Sequence, residues 1–381
     1  MIEQTNTPKL RFPEFKNEWS YDLLSDVVTN KSKKFDPKKE EATKDIELDS
    51  IEQNTGRLLD TYISNDFTSQ KNKFKKGNVL YSKLRPYLNK YYYAIIDGVC
   101  SSEIWVLNTL NKDVLVNKFL YYFIQTNRFS SVTNKSAGSK MPRADWELVK
   151  NIRLYKGSIK EQEKIGYFFS KLDRHIELEE EKLELLEQQK RGYMQKIFSQ
   201  KLRFKDENGD EYPEWKSKKL KDIANVYQPQ NLSQNNFQKK GYPVYGANGV
   251  IGYYKDFNHS NMEIAVACRG NTCGRVNLTE PKSWITSNAM VVDIIDEMEI
   301  EFYFLYQYLR IINYSNVISG SGQPQITRKN MNSVELLVPN YIEQQKIGNL
   351  FRRFDDFIEK QSQKIDLLKE RKKGFLQKMF I

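Results

Sequence analysis

The chain has 381 residues, 39% of them hydrophobic, which is more than one ordinary core absorbs, so two domains or more are expected. Lys and Arg number 60 against 49 Asp and Glu, and the net charge of +11 with a pI of about 9.1 favours an anionic partner, nucleic acid first. No apolar run approaches the ~20 residues of a membrane span, the opening "MIEQTNTPKLRF" lacks an apolar signal core, and three cysteines make no disulfide framework, so a cytoplasmic protein with reduced thiols is expected.

Taken in chain order, residues 1–157 read as a first mixed α/β domain. "GNVLYSKLRPYLNKYYYAIIDGVCSSEIWVL" (Gly77–Leu107) consists of short β-branched and aromatic runs split by Gly, Asn and Asp, which are strand signals with turn chemistry between them. "NKFLYYFIQTNRF" (Asn117–Phe129) reads as a short buried helix, and "NKSAGSKMPRADW" (Asn134–Trp146) as a Ser/Gly-rich loop.

Residues 158–200 predict a long helix. Ser158-x-x-Glu161 has capping-box spacing. Ile165, Phe169, Leu172, Ile176, Leu183, Leu186, Tyr193 and Ile197 then fall on alternating four- and three-residue steps, with Glu179 and Lys190 as polar interruptions. A period of 3.5 held over about five heptads is a coiled-coil seam, although an amphipathic helix packed on its own domain has a similar stripe.

The chain then repeats this order. "KLRF" (Lys9–Phe12) returns at Lys201–Phe204, and Trp19, Leu24 and Asp26 are answered by Trp215, Leu220 and Asp222. Residues 201–339 carry strand signals in "YPVYGANGVIGYY" (Tyr242–Tyr254), "EIAVACRGNTCGRVNL" (Glu263–Leu278) and "WITSNAMVVDI" (Trp284–Ile294), then a short helix in "EFYFLYQYLRII" (Glu301–Ile312) and a polar loop in "VISGSGQPQITRKN" (Val317–Asn330). Residues 340–381 form the second long helix, with Asn340-x-x-Glu343 as its capping box and Ile347, Phe351, Phe354, Ile358, Ile365, Leu368, Phe375 and Met379 as its seam, interrupted at Gln361 and Lys372. Residues 161–198 align without a gap on 343–380, and 17 of 38 positions are identical. The chain is therefore a tandem duplication, and an intramolecular helix pair is the economical arrangement. Gly192 and Gly374 interrupt both helices, marking either the helix end or a close backbone approach.

The polar loops are where contact with DNA is expected. Arg can grip guanine in bidentate fashion, Asn and Gln suit adenine, and neighbouring Gly or Pro lets the backbone approach phosphate. The candidates are Lys83, Arg85, Lys140 and Arg143 in the first domain, and Asn248, Arg269, Asn271, Arg275, Gln323, Gln325, Arg328 and Lys329 in the second.

Catalytic chemistry is not legible. There is no GxxxxGK[ST] loop, no GxGxxG after a strand and no Asn/Asp-Pro-Pro-aromatic run. The two histidines, His175 and His259, supply neither a metal cluster nor a triad, Cys268-x4-Cys273 has no second pair, and the carboxylates crowd into helical charge runs. No catalytic residue, metal site or cofactor is expected in this chain.

The duplicated "EQEKIG…QKIF" and "EQQKIG…QKMF" helices, with "YGANGVIGYY", "SKLRPYLNKYYYAIIDGVCSSE" and "SGSGQPQITRKNM", resemble the specificity subunit of type I restriction-modification enzymes over nearly the whole chain. One departure is "GSKMPRADW" in the first half, where the second has "GSGQPQITR". The resemblance implies an α+β fold of two target-recognition domains separated by two long helices in an antiparallel coiled coil. Each domain would read one half of a bipartite site in double-stranded DNA. Two methyltransferase subunits holding S-adenosylmethionine would dock on the chain, and restriction subunits would use ATP and Mg for translocation and cleavage. A helix from Glu161 to Phe198 is about 56 Å long, which bounds the spacing of half-sites at about 16 base pairs. Two other readings of the basic, two-domain pattern are a free-standing DNA-binding regulator, which would bind its site tightly without partners, and a coiled-coil scaffold with no sequence preference.

Overall fold

The computed structural model describes residues 6–64, 70–136, 140–320 and 322–381, so residues 137–139 of the first polar loop and 321 of the second lie outside the described residues. The chain forms two units, Met1–Glu180 with Gln363–Ile381 and Glu181–Ser362. Both long helices, Ile159–Phe198 and Tyr341–Met379, run unbroken across that division, so each unit keeps part of each helix. No helix among the described residues is long and apolar enough to cross a membrane.

In the first unit, Val28–Thr29, Ile104–Thr109, Val79–Ser82 and Tyr91–Tyr93 form an antiparallel sheet in that order. A five-stranded sheet runs Lys34–Phe35, Lys71–Phe74, Gly98–Ser101, Lys44–Ile46, Tyr62–Ile63. The expected short helix is two, Asn117–Phe123 and Asn127–Thr133, because Thr126 breaks the first and opens the second. Trp19, Tyr81, Phe119, Phe129, Ile165, Phe169 and Phe380 share one core, so both long helices are built into the body of this unit.

The second unit repeats the plan with a different sheet set. Ala224–Tyr227, Ala289–Ile294, Ile264–Ala267 and Val276–Leu278 form its four-stranded sheet, and Gly249–Tyr254, Tyr242–Gly246 and Trp284–Ile285 a three-stranded one. Helix Phe302–Ile311 packs Phe304 and Leu305 into a core with Trp215, Ile347 and Phe351. In both units the strand entering the domain pairs with the strand leaving it, Ser20–Leu23 with Arg153–Lys156 and Lys216–Lys219 with Glu335–Val338.

The long helices pair antiparallel inside each unit. In the first, Asp173 bonds Lys372 at 2.7 Å and Glu179 bonds Lys364 at 2.6 Å, with Phe168 against Phe375. In the second, Lys190 bonds Asp355 at 2.5 Å and Phe198 stacks on Phe351. Of the seam residues, Ile165, Phe169, Ile176, Ile197, Ile347, Phe351, Ile365, Leu368 and Met379 are buried, and Leu172, Leu183, Leu186, Phe354, Ile358 and Phe375 are half-buried. Tyr193 departs from the pattern. It stays 41% exposed with its ring against Phe354, while Met194 takes the buried seat.

Two of the polar interruptions, Lys190 and Lys372, are part of symmetric nodes. Asp173 takes Lys372 from the opposite helix and the Tyr122 hydroxyl from its own domain, and Asp355 takes Lys190, Tyr303 and Gln307 in the same way. Burial lowers the pKa of the Lys190 ammonium, and Asp355 opposes that shift.

The repeated EQxKIG phrase fastens each domain to its helix. The N-cap half of the expected capping box forms, since Ser158 Oγ accepts from Glu161 N and Asn340 Oδ1 from Glu343 N. The reciprocal half is replaced. The buried Glu161 carboxylate receives Arg11 at 2.6 and 2.8 Å, and the buried Glu343 receives Arg203 at 3.2 and 2.7 Å, the arginine in each case coming from the repeated KLRF. Gln162 bonds Val116 N, Val114 O and Gly157 O, and Gln344 likewise bonds Glu301 N, Glu299 O and Pro339 O. Gly348 allows the start of the domain helix to come close, because a Cβ there would lie 2.1 Å from a Glu301 oxygen. Gly192 and Gly374 fit neither expectation, being interior to their helices with open space where a Cβ would stand.

Candidate nucleic-acid interface

In the second unit three loops meet at one edge. The hairpin Tyr242–Gly246/Gly249–Tyr254 turns at Ala247 and Asn248, with Gly249 at φ +87. The loop after Ile264–Ala267 bears Arg269 and Asn271, and Thr272 Oγ1 donates to Ala247 O at 3.5 Å, tying it to the hairpin. The polar loop then pairs with it: Arg269 bridges Gln325, Gly270 N donates to Pro324 O, and Ile326 N donates to Cys268 O. Gly320, at φ +95, makes the tight bend, since a Cβ would sit 2.6 Å from Gln323 O. Asn248, Arg269, Asn271, Gln323 and Gln325 are thus brought together, all exposed except the half-buried Gln325.

The other candidates of this unit stand apart. Arg275 lines a separate depression with Tyr245, Asn277, Tyr306 and Arg310. Arg328 and Lys329 open a helical turn, Arg328–Asn332, capped by Thr327 Oγ1, and line a third depression together with Lys219 and Lys221. Those two lysines were not singled out by the sequence, because "KSKKLK" reads as an ordinary wetted strand until its neighbour is known.

In the first unit, Lys83, Arg85 and Arg143 also converge. Leu84 bridges Arg143, Arg85 N donates to Pro142 O at 2.8 Å, and Ala144 N donates to Lys83 O at 2.7 Å. Arg85 holds φ 50 and is exposed, as is Lys140. The helical alignment that sets Glu161 on Glu343 sets Arg143 on Gln325, so Pro142 and Arg143 keep the same loop-to-loop pairing as Pro324 and Gln325 with a cation in place of the amide. Glu103 holds the Arg143 guanidinium at 3.0 Å and neutralises part of that charge. Its role as a partner was not legible, since it lies 40 residues away in sequence.

The residues set aside as non-catalytic have structural surroundings. His259 is buried between Tyr227 and Asn258, and burial lowers its pKa. Burial pushes the Cys268 thiol up, away from the reactive thiolate. No group of three or more His, Cys, Asp or Glu among the described residues is placed to hold a metal ion.

Glu263 is the strained group of this unit. Burial first, then the charge of Asp293, pushes its carboxyl from 4.5 up to about 7. The folded chain therefore binds this proton more tightly than the unfolded chain, and stability present below pH 4.5 is lost as pH rises through 7. Glu263→Gln should raise stability at pH 8 by about 1–2 kcal/mol, allowing for partial exposure, and the gain should vanish below pH 4.5. Thermal melts at both pH values check this, and an equal gain at both would contradict it.

Comparison with known proteins adds a consistent set of relatives. The family described as "Type I restriction modification DNA specificity domain" matches residues 16–188 and 212–370. The EcoprrI specificity subunit of Escherichia coli is 27% identical over 147 residues, spanning 37% of this chain and 36% of its own length. The MjaVIII and MjaIX specificity subunits of Methanocaldococcus jannaschii are each 23% identical, covering 72% and 80% of this chain and 72% and 77% of their own lengths. The fold resembles that of a type I restriction-modification S subunit from M. genitalium, with a TM-score of 0.64 at 17% identity over 98% of this chain and 99% of that one. A chain of another type I R-M system has a TM-score of 0.59 at 16% identity, covering 96% and 98%.

Proposed function

Because this chain belongs to the type I restriction modification DNA specificity domain family, we propose that it selects the DNA sequence on which a type I enzyme acts, one unit reading each half of a bipartite site. The single observation that carries this reading is the duplication. A family domain matches once in each half, and each half brings its own set of Arg, Lys, Asn or Gln side chains to a paired-loop edge. Arg269 with Gln325 offers a bidentate guanine reader beside an adenine reader, and Arg85 offers a guanine-type reader beside Arg143, which Glu103 holds.

The long helices serve as the spacer between the half-sites and as the surface on which two methyltransferase subunits assemble. Those subunits bring S-adenosylmethionine, and restriction subunits bring the ATP- and Mg-dependent steps. This chain's own part is recognition, and adenine methylation and cleavage are carried out on the site that it selects.

Sequencing the methylome of cells with and without the chain tests this. A bipartite methylated motif should disappear entirely when the chain is removed. An unchanged methylome would overturn the proposal.

A further inference from the structure

The second unit carries a cluster of cations that the loop readers do not account for. Lys219, Lys221, Arg328 and Lys329 surround one depression of about 500 Å3, with Asn332 and Ser333 completing its rim. All four cations are exposed, and no carboxylate among the described residues pairs with any of their side chains. Several other basic side chains of this unit do have carboxylate partners: neighbouring Lys218 pairs with Glu299, Arg203 with Glu343 and Lys190 with Asp355. Four like charges around one hollow repel one another, and an anion lying among them relieves that repulsion.

The first unit has the same backbone here without the charge. Strand Lys216–Lys219 and turn Leu220–Ile223 correspond to Ser20–Leu23 and Leu24–Val27, and turn Arg328–Asn332 to Trp146–Val149. Lys219, Lys221, Arg328 and Lys329 thereby match Leu23, Ser25, Trp146 and Glu147. The fold does not need the cations, and only one of the two domains has acquired them. Their position relative to the reading edge is fixed by the chain. Arg328 is three residues beyond Gln325, which bridges Arg269, so its Cα lies within about 11 Å of that of Gln325. Phosphates recur about every 3.4 Å along each strand, so a duplex held at Arg269 and Gln325 has several within reach of the cluster.

We infer that Lys219, Lys221, Arg328 and Lys329 form a phosphate clamp, which grips the DNA backbone beside the second half-site without reading bases. The inference rests on the DNA-reading function proposed above. The clamp makes the two domains unequal: the second contributes sequence-independent affinity at a place where the first contributes none.

The test uses the full chain, wild type and the double variant Lys219→Gln/Lys221→Gln. Fluorescence anisotropy is measured from low to moderate salt on a duplex bearing the methylated motif and on a shuffled duplex. The clamp predicts that the double variant loses affinity for both duplexes by the same factor. Its plot of log affinity against log salt should be shallower by about 1.8, two contacts at ~0.9 each, with an unchanged preference for the motif. An unchanged salt slope, or a loss confined to the motif duplex, overturns the clamp while leaving the proposed function intact. A wild-type chain that prefers neither duplex overturns the proposed function and the clamp with it.

Discussion

Glu343→Ala is expected to destabilise the second unit by about 3–5 kcal/mol, the range for removing one partner of a buried ion pair. The carboxylate is fully buried and receives Arg203 through two nitrogens, and Trp215 Nε1 at 3.2 Å. Without it, a guanidinium whose side chain is only 17% exposed loses its counter-charge, and an indole N–H loses its acceptor. The damage should be local. Hydrogen exchange should rise through residues 201–216 and the helix Phe302–Ile311, while the first unit, with its own Arg11–Glu161 pair, keeps its protection. Adding Arg203→Met should recover part of the loss, because the orphaned charge goes with it. Exchange rising equally in both units would show that the fastening is not confined to its own unit.

Asp355→Ala is the second large effect, about 2–4 kcal/mol, somewhat less because Asp355 is 30% exposed. The loss strands Lys190, whose side chain is 7% exposed, along with the Tyr303 hydroxyl and the Gln307 amide. Burial already lowers the pKa of Lys190, and without Asp355 nothing opposes that shift. The folded variant then binds this proton less tightly than the unfolded chain, so its stability should rise with pH through the alkaline range. Denaturant titrations across pH check the slope, and Asp355→Ala/Lys190→Met should remove the slope and recover part of the deficit, with Tyr303 and Gln307 still unpaired. A pH-independent deficit would mean that lost packing, not the charge, sets the cost.

Both predictions concern residues whose partners sequence reasoning did not find. Glu161 and Glu343 stood out as capping-box positions, a local pattern, yet their side chains turn to arginines 150 and 140 residues away. Asp173 and Asp355 are identical in the two copies but lie off the apolar seam, so the heptad period gave them no weight. Identity between copies at polar, off-seam positions was the available signal, and it points to the nodes. The periodic features were legible: both long helices, the seam at Ile165, Phe169, Ile347 and Phe351, and the strands around Val79–Ser82 and Ile264–Ala267.

At the candidate interface, residue type identified the loops, but only the fold determines which of them meet. Asn248, Arg269 and Gln325 come from three separate stretches and converge, whereas Arg275, on the same loop as Arg269, faces another depression. Lys219 and Lys221 gain meaning only beside Arg328 and Lys329, more than 100 residues later.

The most direct measurement exchanges residues 201–338 for the corresponding segment of a relative with a different target, followed by methylome sequencing of cells carrying the hybrid. The expected result is a bipartite motif in which one half is new and the other is retained base for base. A motif with both halves altered, or with neither, would contradict it.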